Sequence, residues 1–431
     1  MLDPRLFRDA GGYALVQERL ALRGANPALE VLLAELREDA ERRAALIAEA
    51  DAHTAELNAK SRQIGALKKQ GADASSLLAE TATLSSRAEA ARRAADAADE
   101  AFRRKLLEVP NLPAADVEAG DATCNRVVRT WGEPAAQESW RRPHWEVGRA
   151  LGLLDLERGA RLSGSGFPLY VGMGARLERA LITYLLDLQA REHGYTEIAP
   201  PLLVSRETMT GTGQLPKFEA DLYRVEQDDL FLVPTAEVPV TNLHRGEILA
   251  GEDLPRRYVA YTPCWRREAG AHGADTRGIL RVHKFDKVEL VWFTTPESSL
   301  EAHEQLTRHA EVALQRLGLA YRVVKIAAGD MGFANHRQYD LEAWAPGVGK
   351  WLEVSSCSTY ADFQARRMDI RYRPRRGAKP EFVHTLNGSA LGLARVLIAV
   401  IETGVQPDGS LRVPEVLVPL MGTERIGPGG A

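Results

Sequence analysis

A heptad pattern of small apolar residues between about residues 27 and 108 constrains the fold of this chain most strongly. Residues seven apart fill one helical seam on each side of Gly71: Leu36, Ala50, Leu57 and Ile64 before it, with Arg43 interrupting, and Leu77, Leu84, Ala91 and Ala98 after it. This period predicts two long helices packed as an antiparallel pair, with the reversal at residues 68–73. At ~1.5 Å per residue, helices of about 38 residues would form an arm of roughly 55 Å, which we expect to project from the rest.

The predicted tip of this arm carries basic residues, Lys60, Arg62, Lys68 and Lys69. They are open to two interpretations. Charged side chains on a coiled coil are often only a solvated surface. A basic tip on a projecting arm is also suited to contact the phosphate backbone of a nucleic acid.

The length of 431 residues predicts two or more domains, because one core rarely organises so long a chain. We expect an N-terminal domain over 1–112 and a second domain over 113–431. The formal net charge is -4, so any nucleic-acid surface must be local.

Cysteine usage and hydropathy indicate the cellular compartment. The three cysteines are far apart and form no CxxC motif, so we expect no structural zinc and a reducing, cytoplasmic location. The N-terminus has early acidic residues and no apolar core, and no run of about 18 apolar residues occurs. We therefore expect neither a signal peptide nor a membrane span.

Beyond residue 113 the pattern predicts an α+β domain with an antiparallel sheet. Residues 338–345 and 351–357 read as an antiparallel pair, 176–193 as an amphipathic helix and 389–402 as a buried helix. Pro200-Pro201 marks a sheet edge, a bend or a subunit boundary. Neither GxGxxG nor a Walker lysine loop occurs, so a dinucleotide fold and a P-loop are unsupported.

The stretch 261–289 reads as a hairpin with strands at 256–265 and 278–285 and a Gly-rich polar connection between them. Arg266 and Glu268 have the same strand parity and should face one side, with Arg267 on the other. A guanidinium can take phosphate in a fork, a carboxylate can accept from an exocyclic amine, and the Phe285 ring can stack on a base. The alternative is a solvated hairpin with ordinary cross-strand ion pairs.

Two further segments offer polar groups for a small ligand. Thr235-Ala236-Glu237 ends a strand with a hydroxyl and a carboxylate, which could hold an ammonium group or simply cap a helix. Glu289 lies in an apolar strand, on the same face as Phe285 if the strand is regular. Such an acid needs either a ligand or a basic partner.

Later in the chain, Glu353 and Ser355 should share one strand face, with Ser356 opposite unless the strand twists there. A carboxylate and a hydroxyl near polyphosphate suit Mg²⁺, but the segment could equally be a strand end with a serine turn. Ser389 and Arg395 fall in a segment read as a helix. An arginine on an otherwise apolar helix requires an anion, either a ligand or a core acid.

Together these segments resemble the class II aminoacyl-tRNA synthetases, and the similarity to the bacterial seryl-tRNA synthetase family is close. The resemblance covers nearly the whole chain and rests, besides the arm, on segments in order: the proline segment at Pro200, TAE at Thr235, WRRE at Trp265, DTRG at Asp275, HKFDKVE at His283, EVSS at Glu353, DFQARR at Asp362 and NGSALGLAR at Asn387. Trp265 and Arg267 depart mildly from the family pattern.

The resemblance implies site roles. The catalytic residues would be Arg266, on the α-phosphate and carboxylate, and Arg395, near the γ-phosphate. L-Serine would be bound by Thr235, Ala236, Glu237, Glu289 and Ser389. ATP would be bound by Arg266, Arg267, Glu268, Phe285, Glu353, Val354, Ser355, Ser356 and Arg395. Mg²⁺, accompanying ATP, would be bound by Glu353 and Ser356.

The resemblance also implies partners and a reaction. Serine would attack ATP to give seryl-adenylate, and the seryl group would pass to tRNA(Ser), and to tRNA(Sec) in organisms that have one. The arm would grip tRNA, and the Pro200 segment would build a homodimer. Three alternatives remain: an enzyme that loads an amino acid onto a carrier protein, a non-catalytic RNA-binding relative, and a coiled-coil scaffold. The first would not need the arm, the second should lack some of Arg266, Glu268, Glu353 and Arg395, and the third leaves the second domain unexplained.

Overall fold

The structure, a computed structural model, describes residues 1–268 and 277–427. It divides into two compact units, Met1–Leu112 and Pro113–Ala431. Helices of the first unit are α1 (Ala10–Ala21), α2 (Pro27–Lys69) and α3 (Ser75–Leu106). The DTRG segment, one of those that carry the family resemblance, lies partly outside the described residues, since Asp275 and Thr276 belong to neither range.

The predicted helical arm is confirmed in α2 and α3. Asn26 caps α2 by accepting from the Leu29 amide, and Pro27 occupies the first helical position. Gly71 has φ +69, which lets the chain reverse before α3. Seam residues of both helices are buried, namely Leu36, Ala50, Ile64, Leu84, Ala88, Ala95 and Phe102.

Ion pairs across the seam show that the helices run antiparallel. Lys60 Nζ lies 2.8 Å from Glu80 Oε2, and Lys105 Nζ lies 2.8 Å from Asp39 Oδ2, so early residues of α2 meet late residues of α3. Arg43, which interrupts the heptads, donates through Nε to Asp99 on α3. A charged residue is therefore accommodated in the seam because its partner stands opposite.

The second unit is built on an eight-stranded sheet in the order β1-β9-β10-β11-β14-β8-β7-β2. All neighbouring strands are antiparallel except β2 and β7, which are parallel. Its strands are β1 (Arg126–Trp131), β2 (Thr196–Glu197), β3 (Leu203–Ser205), β4 (Arg224–Val225), β5 (Leu230–Leu232), β6 (Ile248–Ala250), β7 (Arg256–Trp265), β8 (Lys284–Thr294), β9 (Tyr321–Lys325), β10 (Arg337–Ala345), β11 (Lys350–Ala361), β12 (Arg371–Arg373), β13 (Glu381–Phe382), β14 (His384–Gly392), β15 (Leu411–Arg412) and β16 (Arg425–Ile426).

Helices cover the large sheet and complete the core. They are α4 (His144–Ala150), α5 (Leu156–Ser163), α6 (Met173–Asp187), α7 (Arg206–Thr212), α8 (Glu237–Thr241), α9 (Ser299–Arg316), α10 (Phe363–Met368), α11 (Leu393–Gly404) and α12 (Val418–Met421). One apolar core joins the sheet to α6, α9 and α11 through residues such as Leu181, Leu306 and Leu397. This architecture confirms the predicted α+β class. In the described ranges, every helix is too short or too polar to cross a membrane.

Two local predictions were wrong. The second hairpin strand begins at Lys284 and runs without a break to Thr294, whereas 278–285 was predicted; residues 277–283 form turns. Residues 389–392 are the end of strand β14, and the helix begins only at Leu393. The small residues of 387–392 suggested a helix, but they lie in the sheet: a Cβ on Gly388 would come within 2.4 Å of Leu306 on α9.

Candidate active site

A cavity of about 430 Å³ opens where β7, β8, β11 and β14 meet the start of α11. This volume suits a small-molecule ligand. Twelve of the residues predicted for the site line it: Thr235, Glu237, Arg266, Glu268, Phe285, Glu289, Glu353, Val354, Ser355, Ser356, Ser389 and Arg395. Ala236 and Arg267 are not among the lining residues.

Those two residues lie just behind the lining. Ala236 is fully buried and precedes the first residue of α8. Arg267 donates its backbone amide to the Asp221 carbonyl, and its guanidinium lies 5.7 Å from the Tyr223 ring. The Arg267 side chain is thus engaged beside Tyr223 rather than in the cavity wall.

Strand β8 forms one wall of the cavity, because alternate side chains of a strand point to the same side. Phe285, Lys287 and Glu289 are two apart and all line the cavity. Ser389 on β14 stands directly opposite Glu289 in the strand register, and its hydroxyl donates to Glu289 Oε2 at 3.4 Å. The site residue Ser389 is therefore positioned by strand pairing.

The inner part of the cavity, which we call the deep end, comprises Thr235, Glu237, Lys287, Glu289 and Ser389. Lys287 Nζ lies 2.7 Å from Glu289 Oε2 and donates to Thr235 Oγ1 at 2.8 Å. All five residues are less than 9% exposed. The deep end is a buried cluster in which each acid already has a hydrogen-bond donor.

Glu237 is oriented by a chain of hydrogen bonds. Gln364 donates its Nε2 to Glu237 Oε1 at 2.7 Å, and Thr385 donates its hydroxyl to Gln364 Oε1 at 2.7 Å. Because the Thr212 carbonyl can only accept and lies 3.2 Å from Gln364 Nε2, the amide nitrogen is on the Glu237 side. Burial, and next the charge of Glu289, raise the pKa of Glu237, whereas the bond from Gln364 opposes that rise.

The outer part, the open end, comprises Arg266, Glu268, Arg281, Glu353 and Arg395. The Arg266 guanidinium lies 5.2 Å from the Phe285 ring centroid, and Arg281 Nη1 lies 3.3 Å from Glu268 Oε2. Arg266 and Glu268 both follow the end of β7, and Glu268 has φ +50. Both residues therefore lie beyond the regular strand, and strand parity was the wrong reason to expect their common orientation.

A β-bulge in β11 determines which way the side chains of Glu353 and Ser356 point. Glu353 pairs with Glu342 and Ser355 with Leu341, so Val354 has no partner on β10. The extra residue reverses the alternation, and Glu353 then shares a face with Ser356, which pairs with Asp340. The prediction that Glu353 and Ser355 share one face of the strand was wrong. The Ser355 hydroxyl instead donates to the Ser389 carbonyl at 2.6 Å.

This arrangement suits a magnesium ion carried by a polyphosphate. Glu353 and Ser356 offer hard oxygen ligands on one face, and Mg²⁺ commonly takes one or two such protein ligands plus phosphate and water. Burial and the Glu353 charge raise the pKa of Asp340 well above its usual value, and Ser356 donates to it. Within 1–268 and 277–427, no group of three or more His, Cys, Asp or Glu is placed to hold a metal by itself.

The residues that the sequence did not assign include Lys287, which lines the cavity, and Gln364, which contacts Glu237. Lys287 received no role from the sequence, although its spacing of two from Glu289 on a strand could have predicted the pair. Gln364 belongs to α10, and nothing in its neighbourhood in the sequence points to Glu237. Its role depends on a contact across 127 positions.

Comparisons with known proteins agree in every part of the chain. A family model described as the tRNA synthetase class II core domain (G, H, P, S and T) matches residues 218–404, and one described as the seryl-tRNA synthetase N-terminal domain matches 1–113. Serine–tRNA ligase of Gemmatimonas aurantiaca is 53% identical over 98% of this chain and 99% of its own. That of Geobacter sulfurreducens is 48% identical over 99% and 100%.

Solved structures give the same result. Seryl-tRNA synthetase from Pyrococcus horikoshii, complexed with ATP, superposes with a TM-score of 0.89 at 35% identity, covering 99% of this chain and 100% of that one. Cytoplasmic serine–tRNA ligase from Naegleria fowleri, in complex with AMP, superposes with a TM-score of 0.86 at 28% identity, covering 100% and 99%.

Proposed function

This chain belongs to the seryl-tRNA synthetases, a family of class II aminoacyl-tRNA synthetases, and from that premise we infer that it is a serine–tRNA ligase. It joins the carboxylate of L-serine to the α-phosphate of ATP with release of pyrophosphate, and then transfers the seryl group to the terminal ribose of tRNA. The observation that carries the site assignment is the presence of Arg266, Glu268, Glu353 and Arg395 around one cavity.

We assign the deep end to L-serine. A buried carboxylate aimed by Gln364 suits an ammonium group, and a buried Glu289 suits a hydroxyl donor. A site that pairs a hydroxyl rejects alanine, because its own polar groups would then be left unpaired. Thr235, Glu237, Glu289 and Ser389 would therefore select serine, with Ala236 contributing through its backbone.

We assign the open end to ATP. Arg266 would neutralise the α-phosphate, Glu268 would accept from the adenine amine, and Phe285 would stack on the base. Arg395 would lie near the γ-phosphate. Val354, Ser355 and Arg267 would support this end from behind, and Mg²⁺, held by Glu353 and Ser356, would neutralise phosphate charge. No enzyme nucleophile is needed, since position and charge neutralisation supply most of the catalysis.

We further propose a homodimer, a cytoplasmic location and tRNA binding by the arm. The dimer is supported by the edge position of β2 and by the exposed Leu202 and Leu203 beside Pro200-Pro201. tRNA(Ser) is the proposed substrate, and tRNA(Sec) a second one where the host has it.

Exchange of labelled pyrophosphate into ATP, measured with each amino acid in turn, tests the reaction. We expect exchange with serine and little with alanine. Absence of exchange with every amino acid would refute the ligase assignment.

A variant lacking residues 27–108 tests the arm. We expect it to keep serine-dependent exchange, because the cavity lies wholly in the second unit, and to lose most charging of tRNA. Charging assays should use tRNA(Ser) and tRNA(Sec) transcripts separately. Equal charging by the truncated and full-length proteins would contradict the proposed role of the arm.

A further inference from the structure

His144, the first residue of α4, is fully buried and connects two elements that form the open end without lining the cavity itself. Its Nδ1 lies 2.9 Å from Glu402 Oε1 on α11. Its Nε2 accepts a hydrogen bond from the backbone amide of Ile279 at 3.1 Å. The imidazole therefore links α11 to residues 277–283, which precede β8.

The chemistry of these partners fixes the protonation of the ring. A backbone amide can only donate, so Nε2 must be unprotonated, and the proton of the neutral imidazole stands on Nδ1 and is donated to Glu402. Glu402 is held in turn, since its Oε2 accepts from the amides of Gly347 and Val348 at 2.9 and 3.0 Å. The carboxylate is thus anchored on both oxygens, and His144 is held in one orientation.

The segment held by His144 carries groups of the open end. The Leu280 carbonyl accepts from Arg395 Nε at 3.3 Å, and Arg281 pairs with Glu268. Ile279, Leu280 and Arg281 therefore contact His144, Arg395 and Glu268, respectively. The packing is close, since a Cβ on Gly278 would lie 2.2 Å from His144 Nε2.

Both anchors of this segment belong to one face of α11. Arg395 and Glu402 are seven residues apart, which is two helical turns, so they lie above one another on the same side. Arg395 holds the segment directly through Leu280, and Glu402 holds it through His144. Two contacts therefore set the distance between α11 and the segment that carries Arg281: one through Arg395 and one through His144.

We propose that His144 is a positioning residue for adenylate formation, which keeps residues 279–281 at the separation from α11 that ATP binding by Arg281 and Arg395 requires. This inference rests on the proposed ATP site at the open end. It predicts a selective effect on the nucleotide, because the deep end has its own hydrogen bonds and no contact with His144. Displacement of a binding group by about 1 Å can cost on the order of 100-fold in rate.

Two amide substitutions separate the two hydrogen bonds of the ring. In His144→Gln the amide oxygen can stand near the position of Nε2 and accept from Ile279, while the bond to Glu402 is lost. In His144→Asn the amide nitrogen can stand near Nδ1 and donate to Glu402, while the Ile279 amide is left unpaired. Each variant keeps one side-chain bond, and in both the backbone amide of residue 144 still donates to Glu402 Oε1 at 2.8 Å, so the variants differ chiefly in whether the segment is held.

The experiment measures serine-dependent pyrophosphate exchange in the full chain, with KM for ATP, KM for serine and kcat determined separately and Tm recorded for each variant. We expect H144N to lose about tenfold or more in kcat/KM for ATP and H144Q to stay within about threefold, at similar Tm and with the serine KM unchanged. Equal loss in both variants, a greater loss in H144Q, or an equal rise in the serine KM would overturn the proposal.

Arg395→Ala separates this proposal from the assignment of the site. If the open end binds ATP, R395A loses most exchange whatever His144 does. Retention of exchange by R395A would overturn the ATP site and with it the role of His144. Loss of exchange in R395A together with wild-type kinetics in H144N would overturn the role of His144 alone.

Discussion

The deep end and the open end of the cavity hold charge in different ways. At the deep end, the side chains of Lys287 and Glu289 are 9% and 2% exposed and form a pair at 2.7 Å. At the open end, the side chains of Arg395 and Glu353 are 29% and 48% exposed and lie 3.4 Å apart. Buried charges must be paired within the protein, whereas exposed ones are solvated and screened until a ligand arrives. The deep end is therefore organised in advance, and the open end completes its contacts with the ligand.

Of the changes considered, Glu289→Gln should have the largest effect, and that effect should be confined to the deep end. The change leaves Lys287 buried without its anionic partner and replaces the acceptor of Ser389, so kcat/KM for serine should fall by about 100- to 1000-fold. KM for ATP should change little. The measurement is pyrophosphate exchange with serine varied at saturating ATP.

The control for this variant is Glu311→Gln, which alters the pair between Glu311 on α9 and Arg129 on β1, neither of which lines the cavity. It should lower Tm while leaving both KM values near those of the unaltered protein. A serine KM in E289Q like that of the control would show that the deep end does not bind serine.

Glu268→Gln should produce a smaller loss, confined to ATP. Removal of the charge weakens the pair with Arg281 and the proposed acceptor for the adenine amine, and one hydrogen bond to a charged group corresponds to about tenfold in KM. KM for serine should stay constant. Glu381→Gln, an exposed acid on β13, provides the comparison, and a matching effect there would argue against adenine recognition by Glu268.

Gln364→Met should shift the pH dependence of serine binding. Glu237 has a raised pKa and faces Glu289, Lys287 and Tyr360, and Gln364 opposes the rise. Without Gln364 the pKa of Glu237 should rise further, so the carboxylate that attracts the ammonium group is lost at a higher pH. KM for serine should then rise several-fold as pH falls, beginning at higher pH than in the parent protein.

The measurement for Gln364→Met is KM for serine as a function of pH, with KM for ATP recorded in parallel. Thr385→Ser keeps the hydroxyl that orients Gln364 and should retain the parent profile, whereas T385V should resemble Q364M. Superimposable profiles for Q364M and the parent would remove Gln364 from the recognition of serine.

Salt should reveal the smallest difference between the two ends. Raising ionic strength from about 0.05 M to about 0.3 M shortens the screening length, so KM for ATP should rise by about two- to threefold. KM for serine should remain flat, because the charges of the deep end are inaccessible to ions. An equal salt dependence of both constants would contradict the assignment of the two ends.

Regular patterns allowed the arm and several strands to be predicted, because those elements depend on spacing alone. The heptads identify the two arm helices, and β7 has the predicted bounds, Arg256–Trp265. The strand at 389–392 was misread because Gly, Ser and Ala have little preference that separates a tightly packed strand from a helix. The orientation of Glu268 is likewise beyond a pattern of alternating residues, since its backbone has a φ of +50.

The parts of the site that escaped prediction depend on contacts between distant segments. Gln364 reaches Glu237 because α10 and α8 both pack against α7, and His144 reaches Ile279 across 135 positions. Contacts between segments so far apart cannot be inferred from a single sequence. Lys287 differs, because the alternation along β8 places it beside Glu289, and the sequence carried that information.

The bulge at Val354 makes the count of residues in β11 matter more than the identity of any one of them. An insertion of one residue just after the bulge would turn every following side chain of the strand over, bringing Cys357 toward the cavity and Ser356 into the packing beneath α9. A conservative replacement of Val354 changes only one contact. Length variation should therefore be tolerated at the rim of this sheet and in its loops, but not at this point of its interior.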